Sequence, residues 1–287
     1  MRSLLLTDLD GTLLRSDRTI GARTLAALEL LAERDVVRVV ATGRSLHSVE
    51  RVLDREAPID YLIFSSGAGL VTWGPGSSQE LLFAHTMEAR DIERAVRYLL
   101  GEEMDLMIHR PAPESHCFGW LAGTGGGGED LRKRAESFPD HASPLVRTGE
   151  GPASQSNPTD WRGPASMVLG VADPEDPECS VARARAALPD LQVIRTTSPI
   201  NGRSLWLEIL PPHVSKASAG DWLSDHLAIE HARTFAIGND YNDEALLAWA
   251  CQSAVVAGAP EALRARFMEV ADNDRDGVAE AIERFGL

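Results

Sequence analysis

The stretch "LLLTDLDGTLL", Leu4 to Leu14, drives two aspartates into the end of an apolar run. Asp8 and Asp10 come directly after Leu4–Leu6, where a buried strand is expected to stop. A carboxylate taken out of water without a partner is costly. Residues two apart in an extended chain point to the same side. Two like charges that close do not both stay ionised and unpaired. Either they share a proton or a cation sits between them.

Further short apolar runs follow: Val36–Val40, Tyr61–Phe64, Thr234–Ile237 and Ala254–Val256. They are continuous rather than alternating, as in strands buried on both faces of a parallel sheet. Between the first two runs lies "GARTLAALELLAERD", residues 21–35, with apolar residues at helical spacing. That makes a β-α-β unit. "NDEALLAWA" after Ile237 and "PEALRARF" after Val256 are again helical in pattern. Strands alternating with helices predict an α/β fold with an open, parallel, Rossmann-like core sheet.

The middle of the chain differs. From residue 83 to 210 it reads as a helix, "EARDIERAVRYLL", then strands and loops of its own. The expected organisation is therefore a core from residues 1–82 and 211–287, with an α+β domain inserted at 83–210. "GTGGGG", residues 123–128, lacks the closing Gly-Lys-Ser/Thr of a phosphate-binding P-loop and reads as a surface turn. "TGEGPASQSNPTDWRGP", residues 148–164, reads as a flexible loop. There is no internal repeat.

Ligands of an open parallel sheet bind beyond the carboxyl ends of its strands. The predicted strands end in Asp8 and Asp10, in "ATGR" (Thr42 to Arg44), in "SSGAG" (Ser65 to Gly69) and in "GNDYND" (Gly238 to Asp243). Each of these ends also has a simple structural use: turn, helix cap or solvated charge. Four polar endings at one sheet edge outweigh those separate accounts. Oxygen donors from Asp and Asn suit a hard cation, and Mg²⁺ where phosphate is also bound. A carboxylate can attack phosphorus, and a second carboxyl can protonate the leaving oxygen and then activate water. Thr42 with nearby backbone N–H groups suits a phosphoryl oxygen. Lys216, in "HVSKASAGDWL", would balance charge. It stands near the start of a predicted helix, where the dipole disfavours a cation.

Composition narrows the alternatives. The net charge is -15, which repels nucleic acid and anionic membranes and so argues against both as partners. The cysteines, Cys117, Cys179 and Cys251, are odd in number with no CxxC pairing. That argues against a disulfide framework and against a structural zinc site. His109 and His116 flank "RPAPES" and are expected in an exposed loop. The first residues do not read as a signal peptide, and no segment is apolar enough to span a bilayer, so a cytoplasmic location is expected.

"DLDGTLL", "ATGR", "VSKASA" and "GNDYNDEALL", in this order, resemble the four motifs of the haloacid dehalogenase (HAD) superfamily. The branch resembled is that of the Cof-type phosphatases, whose α+β cap domain is inserted between the second and third motifs. The closing "VVAGAPEALRARFMEVADNDRDGVAEAI" is similar to the end of that branch's core. The resemblance covers both core segments and is weaker within the cap. It implies Asp8 as nucleophile and Asp10 as general acid/base, with the Asp10 backbone carbonyl also on Mg²⁺. It implies phosphoryl binding by Thr42, Gly43, Arg44, Lys216 and Asn242, and metal binding by Asp8, Asp10, Asn239 and Asp243. The family usually has Gly-Asp where this chain has Gly238-Asn239. An Asn carbonyl ligates without bringing charge, so weaker metal affinity is expected, or more of the load on Asp240 or Asp243.

The resulting expectation is a Mg²⁺-dependent phosphomonoester hydrolase acting on a small phosphorylated metabolite such as a sugar phosphate, through an aspartyl-phosphate. A monomer or small homo-oligomer is expected. The rivals are a phosphomutase using the same aspartates, a receiver domain, and a non-catalytic phosphometabolite-binding protein. A receiver is a single short domain without so large an insertion.

Overall fold

The computed structural model describes residues 2–76, 78–124, 128–148 and 158–287. The chain divides into two units, Met1–Ala84 with Ser215–Leu287, and His85–Val214. In chain order, the first unit starts with β1 (Ser3–Thr7), α1 (Ala22–Glu33), β2 (Val36–Ala41), α2 (Leu46–Val49), β3 (Tyr61–Phe64), β4 (Gly69–Thr72) and β5 (Leu81–Ala84). The second unit contains α3 (Ala89–Gly101), β6 (Asp105–His109), β7 (Phe118–Leu121), α4 (Gly128–Glu136), β8 (Ala142–Pro144), β9 (Met167–Ala172), α5 (Pro177–Ala187), β10 (Gln192–Thr197) and β11 (Leu205–Leu210). The chain returns to the first unit with α6 (Lys216–His226), β12 (Thr234–Gly238), α7 (Glu244–Trp249), β13 (Gln252–Val256), α8 (Glu261–Arg264), β14 (Met268–Val270) and α9 (Gly277–Phe285).

The first unit is built on a sheet of order β14-β13-β12-β1-β2-β3-β4-β5. Six strands, β14 to β3 in that order, run parallel. This is the α/β fold with an open parallel core sheet that the continuous apolar runs predict. Leu4, Leu6, Val39, Ile63 and Ala236 lie in its sealed core with Leu223 of α6 and Leu246 of α7. The sheet is not wholly parallel. β4 and β5 add antiparallel at one edge. Every residue of β5 is half-buried or exposed, so its composition carries no core signal. That edge strand also moves the division between units to Ala84/His85 from the expected 82/83. At the far side it lies at Val214/Ser215, where the sequence reading sets 210/211.

β1 sits mid-sheet, with β2 on one side and β12 on the other. The chain winds outward from β1 through β2 and β3, then returns on the opposite flank. The carboxyl ends of β1 and β12 thus meet at the topological switch point, where such sheets bind ligands. Asp8 extends the ladder there, its N–H donating to the Ile237 carbonyl at 2.9 Å.

The second unit has a six-stranded sheet of order β10-β11-β9-β6-β7-β8. Its strands pair antiparallel except β7 with β8. One face packs on α3 and α5 through Ile92, Val96, Leu99, Val181 and Leu188. This is an α+β arrangement. His109 departs from the expected exposed loop. It closes β6 and is 4% exposed. Of the two expected loops, residues 125–127 of "GTGGGG" and residues 149–157 of the later stretch lie outside the described residues. No helix among the described residues is long and apolar enough to cross a membrane.

Candidate active site

The site starts with β1. Its last residues are fully buried, so the chain carries Asp8 inward and Asp8 is 5% exposed. The backbone then turns, and Asp10 emerges exposed. Gly11 takes φ +71 in that turn, and a Cβ there would meet Nδ2 of Asn239 at 2.6 Å. The Asn239 side chain, from the end of β12, therefore lies directly against the loop that follows Asp10.

Lys216 is the first residue of α6. Ser215 caps this helix, accepting from the Ser218 N–H, while the Ser218 hydroxyl takes the Ser215 N–H. The turn Ser65–Ser66–Gly67 after β3 fixes the approach. Gly67 has φ +102, and a Cβ there would strike the Ser215 carbonyl oxygen at 2.2 Å. Only a residue without a side chain lets the two backbones touch. Ser65 and Ser66, which sequence alone left undecided, are buried in this turn with φ of 49 and 55.

Lys216 is 1% exposed and its Nζ donates to Oδ1 of Asp8 and to Oδ1 of Asp243, both at 2.6 Å. A cation at a helix N-terminus is disfavoured by about 0.3–1 kcal/mol. Two hydrogen-bonded carboxylates in a buried setting outweigh that. Burial works against the ammonium, but the charges of Asp243 and Asp8 hold its pKa above the ordinary lysine value. Burial and the neighbouring Asp243 push the Asp8 carboxyl up to about 8, against the pull of Lys216. With both carboxylates ionised they would share one ammonium and leave one negative charge over, which is why Asp8 holds its proton.

Asp243 is 0% exposed. Its Oδ1 faces Lys216, and its Oδ2 accepts the backbone N–H groups of Asn239 at 2.9 Å and Asp240 at 3.2 Å. Both oxygens are thus engaged within the protein. The acid shapes the loop after β12 and holds Lys216. Asn242 is half-buried in the same turn.

Arg44 and Asp10 form a second pair. Nε of Arg44 donates to Oδ2 and Nη2 to Oδ1 of Asp10, each at 2.6 Å. Burial works against the guanidinium, yet Asp10 and the field of Asp8 raise its pKa. Thr42 is buried. Its N–H is taken by the Ile63 carbonyl at 2.9 Å, so its own amide is not one of the backbone donors open to a phosphoryl oxygen. Its hydroxyl oxygen accepts the Arg44 N–H at 3.1 Å, which leaves the hydroxyl proton to donate. Gly43 is half-buried between them.

The structure therefore joins Asp8, Lys216 and Asp243 directly, Asp10 with Arg44, Arg44 with Thr42, and Asn239 with both Asp243 and Gly11. The Ser65–Gly67 turn is what sequence reasoning underrated; its signal is the Gly that follows two serines at a strand end. A hard cation fits the donors present. Asp8, the Asp10 carbonyl and Asn239 offer oxygen, Asp243 has both its oxygens engaged, and a positive ion beside Asp8 would favour its ionised form.

A family model described as haloacid dehalogenase-like hydrolase matches residues 5–282. The chain is 28% identical over 253 residues to an HMP-PP phosphatase of Cronobacter sakazakii, covering 88% of this chain and 83% of that protein. It is also 28% identical to an HMP-PP phosphatase of Serratia proteamaculans, over 88% and 82% of the two chains. In fold it resembles the haloalkanoate-superfamily phosphatase BT1666 of Bacteroides thetaiotaomicron, with a TM-score of 0.74, 19% identity and coverage of 100% and 96%. It likewise resembles the HAD subclass IIB sugar phosphatase BT4131, with a TM-score of 0.71, 18% identity and 99% of both chains covered.

Proposed function

Since the chain belongs to the haloacid dehalogenase-like hydrolase family, we propose that it is a Mg²⁺-dependent phosphatase that hydrolyses a small phosphorylated metabolite through an aspartyl-phosphate on Asp8. The curated relatives named above are phosphatases. The observation that carries the reading is the buried Asp8–Lys216–Asp243 cluster at the carboxyl ends of β1 and β12. A sugar phosphate is the proposed substrate class, by the fold-level likeness to a sugar phosphatase. The unit His85–Val214 is the proposed determinant of substrate choice.

Lys216 holds Asp8 by one oxygen, which leaves Oδ2 to attack phosphorus. An ammonium has three N–H donors, and two are taken, so the third can meet a phosphoryl oxygen. The Thr42 hydroxyl donates to another. Asp10, once released from Arg44 and protonated from solvent, gives that proton to the leaving oxygen as the Oδ2–P bond forms and the ester P–O bond breaks. Asp10 then takes a proton from water as water attacks phosphorus. The P–Oδ2 bond breaks and inorganic phosphate leaves. Asp8, the Asp10 carbonyl and Asn239 would hold Mg²⁺, with Asp243 keeping Asn239 in place. When bound, Mg²⁺ supplies the positive charge that favours ionised Asp8 and offsets the phosphoryl oxygens.

The test is a screen of phosphorylated metabolites for phosphate release, with and without Mg²⁺, on the wild type and Asp8→Asn. Mg²⁺-dependent release that vanishes in Asp8→Asn supports the reading. Release unchanged by that substitution rejects it. Conversion to an isomeric phosphate without release would mark a mutase.

A further inference from the structure

Cys117 immediately precedes β7, and His141 immediately precedes β8. These strands pair parallel from Phe118 opposite Ala142, so the two residues stand at the same end of neighbouring strands. The Phe118 N–H donates to the His141 carbonyl at 2.9 Å and locks that register. The loop carrying His116 is tied down as well. The Cys117 N–H donates to the Glu114 carbonyl and the Arg110 N–H to the Cys117 carbonyl, both at 2.9 Å. From below, Nδ1–H of buried His109 donates to the Ser115 carbonyl at 2.8 Å.

This frame gathers three side chains. One ligand atom from each of His116, Cys117 and His141 lies within 4.8 Å of the others, and all three residues are half-buried. The two imidazoles meet edge to face with centroids 4.6 Å apart. Sγ of Cys117 is 3.5 Å from Nδ1 of His141. With Zn–S of about 2.3 Å and Zn–N of about 2.0–2.1 Å, a tetrahedral ion sets sulfur and nitrogen ligands roughly 3.6 Å apart. The Cys117–His141 pair already has that spacing. His116 brings the third donor within 4.8 Å of both.

We propose that His116, Cys117 and His141 bind a borderline-soft divalent metal ion, zinc being the representative, at a site within the unit His85–Val214. Two imidazoles and a thiolate suit zinc and its first-row neighbours and do not suit Mg²⁺ or Ca²⁺. Three protein ligands leave a fourth position for water. Burial raises the Cys117 pKa, with Arg110 pulling it down and Glu114 pushing it up, so the protonated thiol is favoured. Metal binding therefore displaces a proton from sulfur. The missing CxxC pattern does not bear on this site. Its ligands come from two strand ends and include one cysteine. The proposal is independent of the phosphatase reading, since every residue in it lies in the other unit.

The test uses the full-length chain, stripped with chelator and titrated with Co²⁺ as a spectroscopic stand-in. The expected result is a near-ultraviolet sulfur-to-cobalt charge-transfer band that Zn²⁺ abolishes. The all-oxygen donors around Asp8 cannot produce that band. Cys117→Ser removes it, His141→Gln weakens or removes it, and the double variant Cys179→Ser, Cys251→Ser keeps it. Zn²⁺ also raises the melting temperature of the wild type but not that of Cys117→Ser, whose fold is checked by circular dichroism. Absence of the band in the wild type overturns the proposal whatever the variants do. So does a band that survives Cys117→Ser, or one that is lost in the Cys179, Cys251 double variant.

Discussion

Nζ of Lys216 lies 2.6 Å from Oδ1 of Asp8, with the two side chains 1% and 7% exposed. The same ammonium meets Asp243 at 2.6 Å, so it is the sole cation these two sealed carboxylates share in direct contact among the described residues. Removing it leaves two buried carboxyl groups facing each other without the cation they share. Breaking a buried pair from one side costs on the order of 3–5 kcal/mol. Lys216→Met, which keeps the bulk, is expected to lose most activity and to shift the urea midpoint down accordingly. A variant within about 1 kcal/mol of the parent would show that the pair is not buried in solution.

Asp8→Asn separates chemistry from stability. Burial and Asp243 hold the Asp8 carboxyl up at about 8, against the ordinary aspartate value of 3.8. Between those values the folded state binds more protons than the unfolded one, so this group's contribution to stability falls as pH rises. An amide has no such slope. Asp8→Asn is expected to abolish phosphate release. In chelator at neutral pH it should melt no lower than the parent, with a flatter dependence on pH. A markedly lower melting temperature would mean that Asp8 is needed as an anion for the fold itself.

Arg44 holds Asp10 through a bidentate pair whose side chains are 28% and 47% exposed. The fork cannot be copied by lysine. If Asp10 is the proton carrier, Asp10→Asn lowers kcat by about 10²–10⁴-fold. Arg44→Lys and Arg44→Met, which free the carboxylate without removing it, are expected to lower kcat less than Asp10→Asn and to weaken the acid limb of its pH profile. Equal kcat losses with an unchanged pH profile would assign Arg44 to phosphate binding alone.

Asn239 stands where the resembled family carries an acid, packed against Gly11. Asn239→Asp changes charge with almost no change in shape. It is expected to lower the Mg²⁺ concentration needed for half-maximal activity. The magnesium titration decides this: an unchanged or higher requirement removes Asn239 from the metal wall.

The parallel core sheet, though not its strand order, was readable because β1, β2, β3, β12 and β13 contain continuous apolar runs, and burial on both faces writes itself directly into composition. The edge strand β5 left no such trace. Within the candidate site, sequence order brings Asp8, Lys216 and "GNDYND" to one edge but does not divide the labour among them. "GNDYND" holds four Asp or Asn residues, and only the folded turn shows that Asp243 points back to Lys216 and to the amides of Asn239 and Asp240. Likewise Thr42 loses its N–H to Ile63 across a strand pairing that no local pattern encodes. His116 and His141 sit on separate segments, and the parallel β7–β8 register alone unites them.

His109 yields a prediction about acid sensitivity. The ring is 4% exposed, Nδ1–H is bound to the Ser115 carbonyl, and Nε2 has no hydrogen-bond partner among the described residues. Burial pushes its pKa down from 6.5 to about 4. Between those values the unfolded state binds the extra proton, so stability is lost as pH falls through that window. The loss between pH 7 and pH 5 is on the order of 2 kcal/mol. The neighbouring Phe118 ring lies 5.2 Å away, centroid to centroid, so an aromatic substitute has a partner. His109→Phe gives up the bond to Ser115, about 1 kcal/mol at neutral pH, but removes the titration. Urea unfolding in chelator at the two pH values should show the parent weakening more than the variant. Equal weakening would place the acid-sensitive group elsewhere.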